Sequence, residues 1–182
     1  MIQRYFCVWS FIIIFCAGFV LQAQEQEYAP LSRSFRNLSL GIGLDELKAA
    51  LQQDELFLFR GDRDVSLLPF RDESLVETTG TSFVRRALFQ LRDGQVFIMS
   101  FTLNTQLIDH YSVFTSLVQK YGEPAELDPK QTIWESEGTR IALERPLTIK
   151  YIDTQIFNEI RNESQTDESD FLQLREGFLN EF

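Results

Sequence analysis

Between Ser82 and Leu103 the chain reads SFVRRALFQL-RDG-QVFIMSFTL. Two apolar, β-rich runs flank Asp93-Gly94, and this constrains the fold more than any other stretch. Asp-Gly favours the two-residue primed turn whose twist matches that of the strands on either side. A two-residue turn would set Leu91 opposite Val96 and Phe89 opposite Ile98. Such a hairpin needs further strands and a cover for its apolar face. Arg85 and Arg86 occupy adjacent strand positions and are therefore expected on opposite faces. One is then half-buried and ion-paired, or the pair faces solvent and discourages edge aggregation.

The rest of the chain supplies strands and cover. Leu44, Leu47 and Leu51 recur at helical spacing after Gly43, which can serve as the N-cap, with Asp45 and Glu46 at the positive end of the helix dipole. VSLLP and SLVETTG read as short strands before the hairpin. In TQLIDHYSVFTSLVQKYG, Leu107, Tyr111, Phe114, Val118 and Tyr121 form the expected buried stripe; Gly122 is expected to stop the helix in the left-handed conformation, with Pro124 after it. QTIWE, TRIALE and LTIKYID then read as three more strands. The expectation is an α+β fold of two helix-plus-antiparallel-meander units, α-βββ(β)-α-βββ, with both helices on one face of the sheet. The domain spans residues 38–153, with halves at about 38–103 and 104–153, a pattern consistent with tandem duplication.

The ends differ in composition. Residues 1–23 place Arg4 before an apolar run from Tyr5 to Leu21, the layout of a secretory signal peptide cleaved after Ala23, or of an uncleaved anchor. A periplasmic or secreted location follows. Cys16 follows Ile13-Ile14-Phe15 and lacks the small residue that precedes an acylated cysteine. Both cysteines, Cys7 and Cys16, lie in this segment, so the mature chain has no disulfide, thiol nucleophile or cysteine metal site. Residues 24–37 are polar and Pro-broken, a flexible tether. After Asp153, TQIFNEIRNES suggests a further helical turn and QTDESD an acidic linker; then Phe171, Leu174, Phe178 and Phe182 form an amphipathic helical stripe. Residues 153–182 hold 8 acids and 2 bases. The full chain carries −10, and loss of residues 1–23 removes one arginine and no acid, leaving −11. That balance repels nucleic acid and anionic membranes and favours protein partners, or neutral and cationic ligands.

Catalytic and cofactor motifs are sparse. His110, the single histidine, sits at the edge of its helix's apolar face, and adjacent Asp109 points about 100° away; a packing role is expected. Arg60-Gly61-Asp62 spells an adhesive tripeptide, here read as a chance match in a loop. Asp62 and Asp64 resemble the start of a calcium loop whose remaining ligands are absent. Gly41-Ile42-Gly43 suggests a phosphate turn, but Glu46 would repel the phosphate. Asn37-Leu38-Ser39 and Asn162-Glu163-Ser164 are glycosylation sequons. No metal, cofactor or catalytic residue is expected. In VQKYGEPAELDPKQTIWE every conspicuous residue has a structural task as the joint between helix and sheet.

LGIGLDELKAAL, together with LVQKYGEPAELD, IWE and TRIALE, resembles small periplasmic α/β repeat domains. These are the SmpA/OmlA-like domain of the barrel-assembly machine and the tandem modules of the β-lactamase inhibitor protein. Gly41, Leu44, Glu46, Leu47 and Leu51 approximate the helix start of those families, with Gly43 in place of the Ser/Thr cap; the second helix matches through its Gly-x-Pro exit. The resemblance spans about residues 38–153 and implies a non-enzymatic interaction module, without the lipid anchor. The leading expectation is an exported, non-catalytic binder of another envelope protein, with the sheet face and Phe171, Leu174, Phe178 and Phe182 as contacts. The stripe can equally dock on the protein's own body. The alternative is a small-ligand or transport accessory protein with a pocket between helix and sheet, lined by Phe89, Phe101 and Trp134.

Overall fold

A computed structural model describes residues 28–68 and 73–179. In chain order the elements are β1 (Ser34–Phe35), β2 (Leu38–Ser39), α1 (Leu44–Gln53), a 3-10 turn (Gly61–Asp64), β3 (Val65–Leu68), β4 (Glu73–Thr79), β5 (Val84–Arg92) and β6 (Gln95–Leu103). There follow α2 (His110–Tyr121), β7 (Glu126–Leu127), β8 (Gln131–Ser136), β9 (Thr139–Glu144), β10 (Thr148–Asp153) and α3 (Thr154–Leu179). Strands β3 to β10 form one antiparallel sheet in the order β3-β4-β5-β6-β10-β9-β8-β7, while β1 and β2 pair with each other. The α+β class therefore holds. Residues 1–27, with the signal segment and both cysteines, lie outside the described residues, and no helix among the described residues is long and apolar enough to cross a membrane.

The hairpin turns at Asp93 (φ 51°) and Gly94 (φ 73°), with Arg92 opposite Gln95 and Leu91 opposite Val96. Beyond that pair the simple register fails. Gln90 pairs with Ile98 and Phe89 with Met99, because Phe97 is an extra residue in β6. Such a bulge reverses which face each later side chain occupies. Val96, Met99, Phe101 and Leu103 enter the main core, while Phe97 and Ile98 join Ile152 on the other face. A second bulge at Arg85 lies between the pairs Val84–Leu103 and Arg86–Thr102. It leaves both arginines exposed instead of on opposite faces, and Arg86 meets Glu77 at 2.7 Å.

Helices α1 and α2 cover one face of the sheet. Leu47 and Leu51 of α1, and Val113, Leu117 and Tyr121 of α2, pack with Phe89, Met99, Phe101, Trp134, Ile141 and Leu143. Each fully buried large apolar side chain contributes about 1.5–3 kcal/mol relative to exposure. Gly43 is the N-cap of α1, as expected. Helix α2 starts later than its sequence pattern suggests, since Asp109 caps it by accepting from the Ser112 N–H at 2.9 Å. Leu107 falls before the cap and outside the helical phase, and Tyr111 is 74% exposed because the first turn overhangs the sheet. The buried stripe is thus Val113, Leu117 and Tyr121, flanked by Phe114 and Val118.

Two further expectations change. Residues 28–37, expected in the tether, lie along the domain. The Phe35 ring stands 4.4 Å from Phe101, and Arg33 reaches the Gly138 carbonyl, Thr139 Oγ1 and the Asp153 carboxylate. Beyond the two helices that share one face as expected, a third helix takes the other. Phe97, Ile98 and Ile152 create an apolar patch opposite α1 and α2, and Ile156, Phe157 and Ile160 of α3 pack on it. Asp153 starts α3 by accepting from the N–H groups of Gln155 (3.1 Å) and Ile156 (3.2 Å). The helix runs unbroken through residues 165–170, the expected linker.

Candidate functional site

Phe89 and Phe101 lie in the core, fully buried, edge to face at 5.8 Å. Trp134 is also buried; its indole N–H donates to the Gly122 carbonyl at 2.9 Å and its ring stands 6.1 Å from Phe114. These three aromatics form an interior and do not line the hollow beside α2 or the shallow surface on the opposite sheet face. Phe171, Leu174 and Phe178 fall on the path of α3, but their side chains, and all of Phe182, lie outside the described residues.

A hollow of about 740 Å³ opens between the first turn of α2 and the β7–β8 edge. Tyr111 and Phe114 come from α2, Leu127 and Pro129 from the β7–β8 hairpin, and Arg145 from the β9–β10 loop. Buried Trp134 backs Phe114 from the interior. Tyr111 and Leu127 are 74% and 71% exposed, the most exposed large apolar residues described. The loop geometry is held by Arg145, whose Nε donates to the Pro129 carbonyl at 3.0 Å and whose backbone N–H donates to the Lys130 carbonyl at 3.0 Å.

Charge is unevenly used around this hollow. Asp109 accepts from both the N–H and the hydroxyl of Ser112, and Asp128 accepts from the Lys130 N–H at 2.8 Å. Among the described residues neither Lys130 nor Arg145 has a carboxylate within ion-pair distance. Burial, followed by the charge of Arg145, pushes the His110 imidazole below its ordinary pKa, against the opposing pull of Asp109. His110 is a half-buried wall residue of the hollow.

The other sequence candidates have structural partners. Asp62 of the adhesive tripeptide pairs with Lys48 at 2.8 Å, and Asp64 with Arg60 at 2.6 Å. No metal-competent group of three or more His, Cys, Asp or Glu occurs among the described residues. Sequence reading missed the hollow because its walls come from three separate segments. Its one local signal was the Asp128-Pro129-Lys130 turn beside an exposed Leu127.

On the opposite sheet face, β5, β6, β8, β9 and β10 frame a shallow mixed surface, with Ser100, Ala142 and Ile133 buried at its base, Gln90 partly exposed, and the Lys150–Glu144 pair at 2.8 Å. Helix α3 borders it through Phe157. Contacts described between α3 and the sheet side reach as far as Glu163, which meets Arg92 at 2.9 Å.

This architecture defines an antiparallel α+β sheet domain with two helices on one face and one long helix on the other. Residues 33–163 match the family model of the TP0088 domain, and the chain belongs to that family. No curated protein and no solved structure matches it.

Proposed function

We propose that this chain is an exported, non-catalytic protein-interaction module of the cell envelope, in which the distal half of α3 docks on a partner envelope protein. One observation carries the reading. The helix continues as a single rod past Glu163, its last described anchor and also the last residue of the matched family domain. Its 26 residues correspond to a length of about 39 Å. On that rod Phe171, Leu174 and Phe178 recur at i, i+3 and i+7, and Leu179 is 55% exposed. An amphipathic acidic helix of this kind suits an apolar groove with a basic rim. The mixed sheet face beside α3 adds a second contact surface. Export rests on the signal-like residues 1–23, and the resemblance of the α1 start to periplasmic interaction modules supports the same location.

The two-unit arrangement belongs to this proposal. Helix α1 precedes β3–β6 and α2 precedes β7–β10, and the two quartets meet at the β6–β10 pair, as tandem units sharing one sheet would. The test is crosslinking in the native envelope with the full chain and with a chain ended after Glu163. We expect equal melting temperatures and loss of the partner from the shorter chain. Identical partners captured at equal affinity would remove α3 from the reading. A second reading, a small-ligand site between helix and sheet, is supported by the hollow beside α2.

A further inference from the structure

We infer that the hollow between α2 and the β7–β8 edge binds a small amphipathic carboxylate, its apolar body on Tyr111, Phe114, Leu127 and Pro129 and its anionic head at Lys130 and Arg145. This rests on the small-ligand reading and is independent of what α3 binds. The volume, about 740 Å³, falls within the ~300–1,000 Å³ of small-molecule sites. The apolar wall is exposed where it would otherwise be costly to leave in water, and Phe114 within it is backed by buried Trp134, whose N–H is committed to Gly122.

The sign of the head group follows from the charges. Eight other described lysines and arginines, Arg33, Arg36, Lys48, Arg60, Arg86, Arg92, Arg140 and Lys150, each meet a carboxylate. Of the seven described cations without such a partner, Lys130 and Arg145 are the two that line this hollow. Of the two acids at the hollow, Asp109 is bonded through both oxygens to Ser112 in the α2 cap and Asp128 accepts through Oδ1 within the β7–β8 turn, which leaves Lys130 and Arg145 as the charged side chains without an acidic partner there. The Arg145 guanidinium keeps both Nη groups available after Nε has bonded Pro129, and planar paired donors suit a carboxylate. An alcohol would gain only the apolar contact, and an alkylammonium would meet Lys130 and Arg145 as like charges beside two acids already held in the α2 cap and the β7–β8 turn.

The test uses decanoate, decanol and decylammonium, each below its micelle concentration, with the full chain. His110 is the only histidine and lines the hollow, so its imidazole proton resonances report occupancy directly. Decanoate is expected to shift those resonances and to bind about tenfold tighter than decanol, with decylammonium weakest. The double variant K130Q/R145Q, at two exposed positions, should weaken decanoate about tenfold and decanol far less, with a slightly lower melting temperature from loss of the Arg145–Pro129 bond. Y111A should weaken both decanoate and decanol. Equal binding of the three probes, or decanoate binding that neither moves His110 nor responds to K130Q/R145Q, would overturn the inference. Preference for decanol or decylammonium would overturn the carboxylate and leave a ligand pocket; no binding by any probe would remove the pocket reading as well.

Discussion

At Gly122 three constraints meet in one residue. Its φ of +82° with ψ of −164° is a region essentially confined to glycine, its carbonyl accepts from Trp134, and a Cβ there would stand 2.7 Å from the Tyr28 ring. The helix stop was legible in the sequence, but its conformation is not the left-handed one expected, because the chain must turn toward Trp134 while Tyr28 packs over it. Gly122→Ala should cost about 1–3 kcal/mol, measured by urea unfolding, and adding Tyr28→Ala should recover only the part due to the clash. Asp64 gives a pH-dependent case. Burial raises its carboxyl pKa, but hydrogen bonds from the side chain and backbone N–H of Arg60 outweigh this and hold it below its ordinary value of 3.8. A depressed folded pKa stabilises above the unfolded value and loses that contribution as pH falls through the folded one. The stability gap between the natural chain and Asp64→Asn should therefore be widest above pH about 4 and close on acidification; a gap independent of pH in thermal melts would refute this.

At the level of elements, the Asp93-Gly94 turn and the α1 cap follow from local chemistry and were legible. The bulge at Phe97 was not, since nothing in QVFIMSFTL marks which apolar residue is the extra one. Its placement reflects two apolar faces to satisfy, with α1 and α2 claiming Val96 and Met99 and α3 claiming Phe97 and Ile98. Phe97 is 4% exposed, and Phe97→Ala should cost about 3 kcal/mol. Amide exchange should then rise in residues 154–163 while β5 and β6 stay protected; uniform loss of protection would mean that α3 and the sheet unfold as one unit. The α2 stripe failed for a related reason. Helical spacing is blind to where the helix starts, and the Asp109 cap placed Leu107 outside it.

Across the whole molecule, the N-terminal segment closes one end of the sheet. Arg33 joins the β9–β10 end to the start of α3 through Gly138, Thr139 and Asp153. With the arginine side chain partly exposed, Arg33→Ala should cost about 1–2 kcal/mol. Limited proteolysis should then cut residues 28–39 sooner than in the natural chain; unchanged cleavage would show that the other contacts, among them Phe35 with Phe101 and Arg36 with Asp54, hold the segment without Arg33. The sequence by itself determined the alternation of helix and strand, the Asp-Gly hairpin and the acidic C-terminal segment, because these depend on periodicity, turn chemistry and charge within short windows. Only the tertiary structure decided that both strand quartets share one sheet through β6 and β10, that α3 takes the opposite face, and that the N-terminal segment is docked. It also decided that Tyr111, Leu127, Lys130 and Arg145 surround one hollow. Those outcomes depend on pairing between residues far apart in the chain and on competition for apolar surface, which no local pattern records.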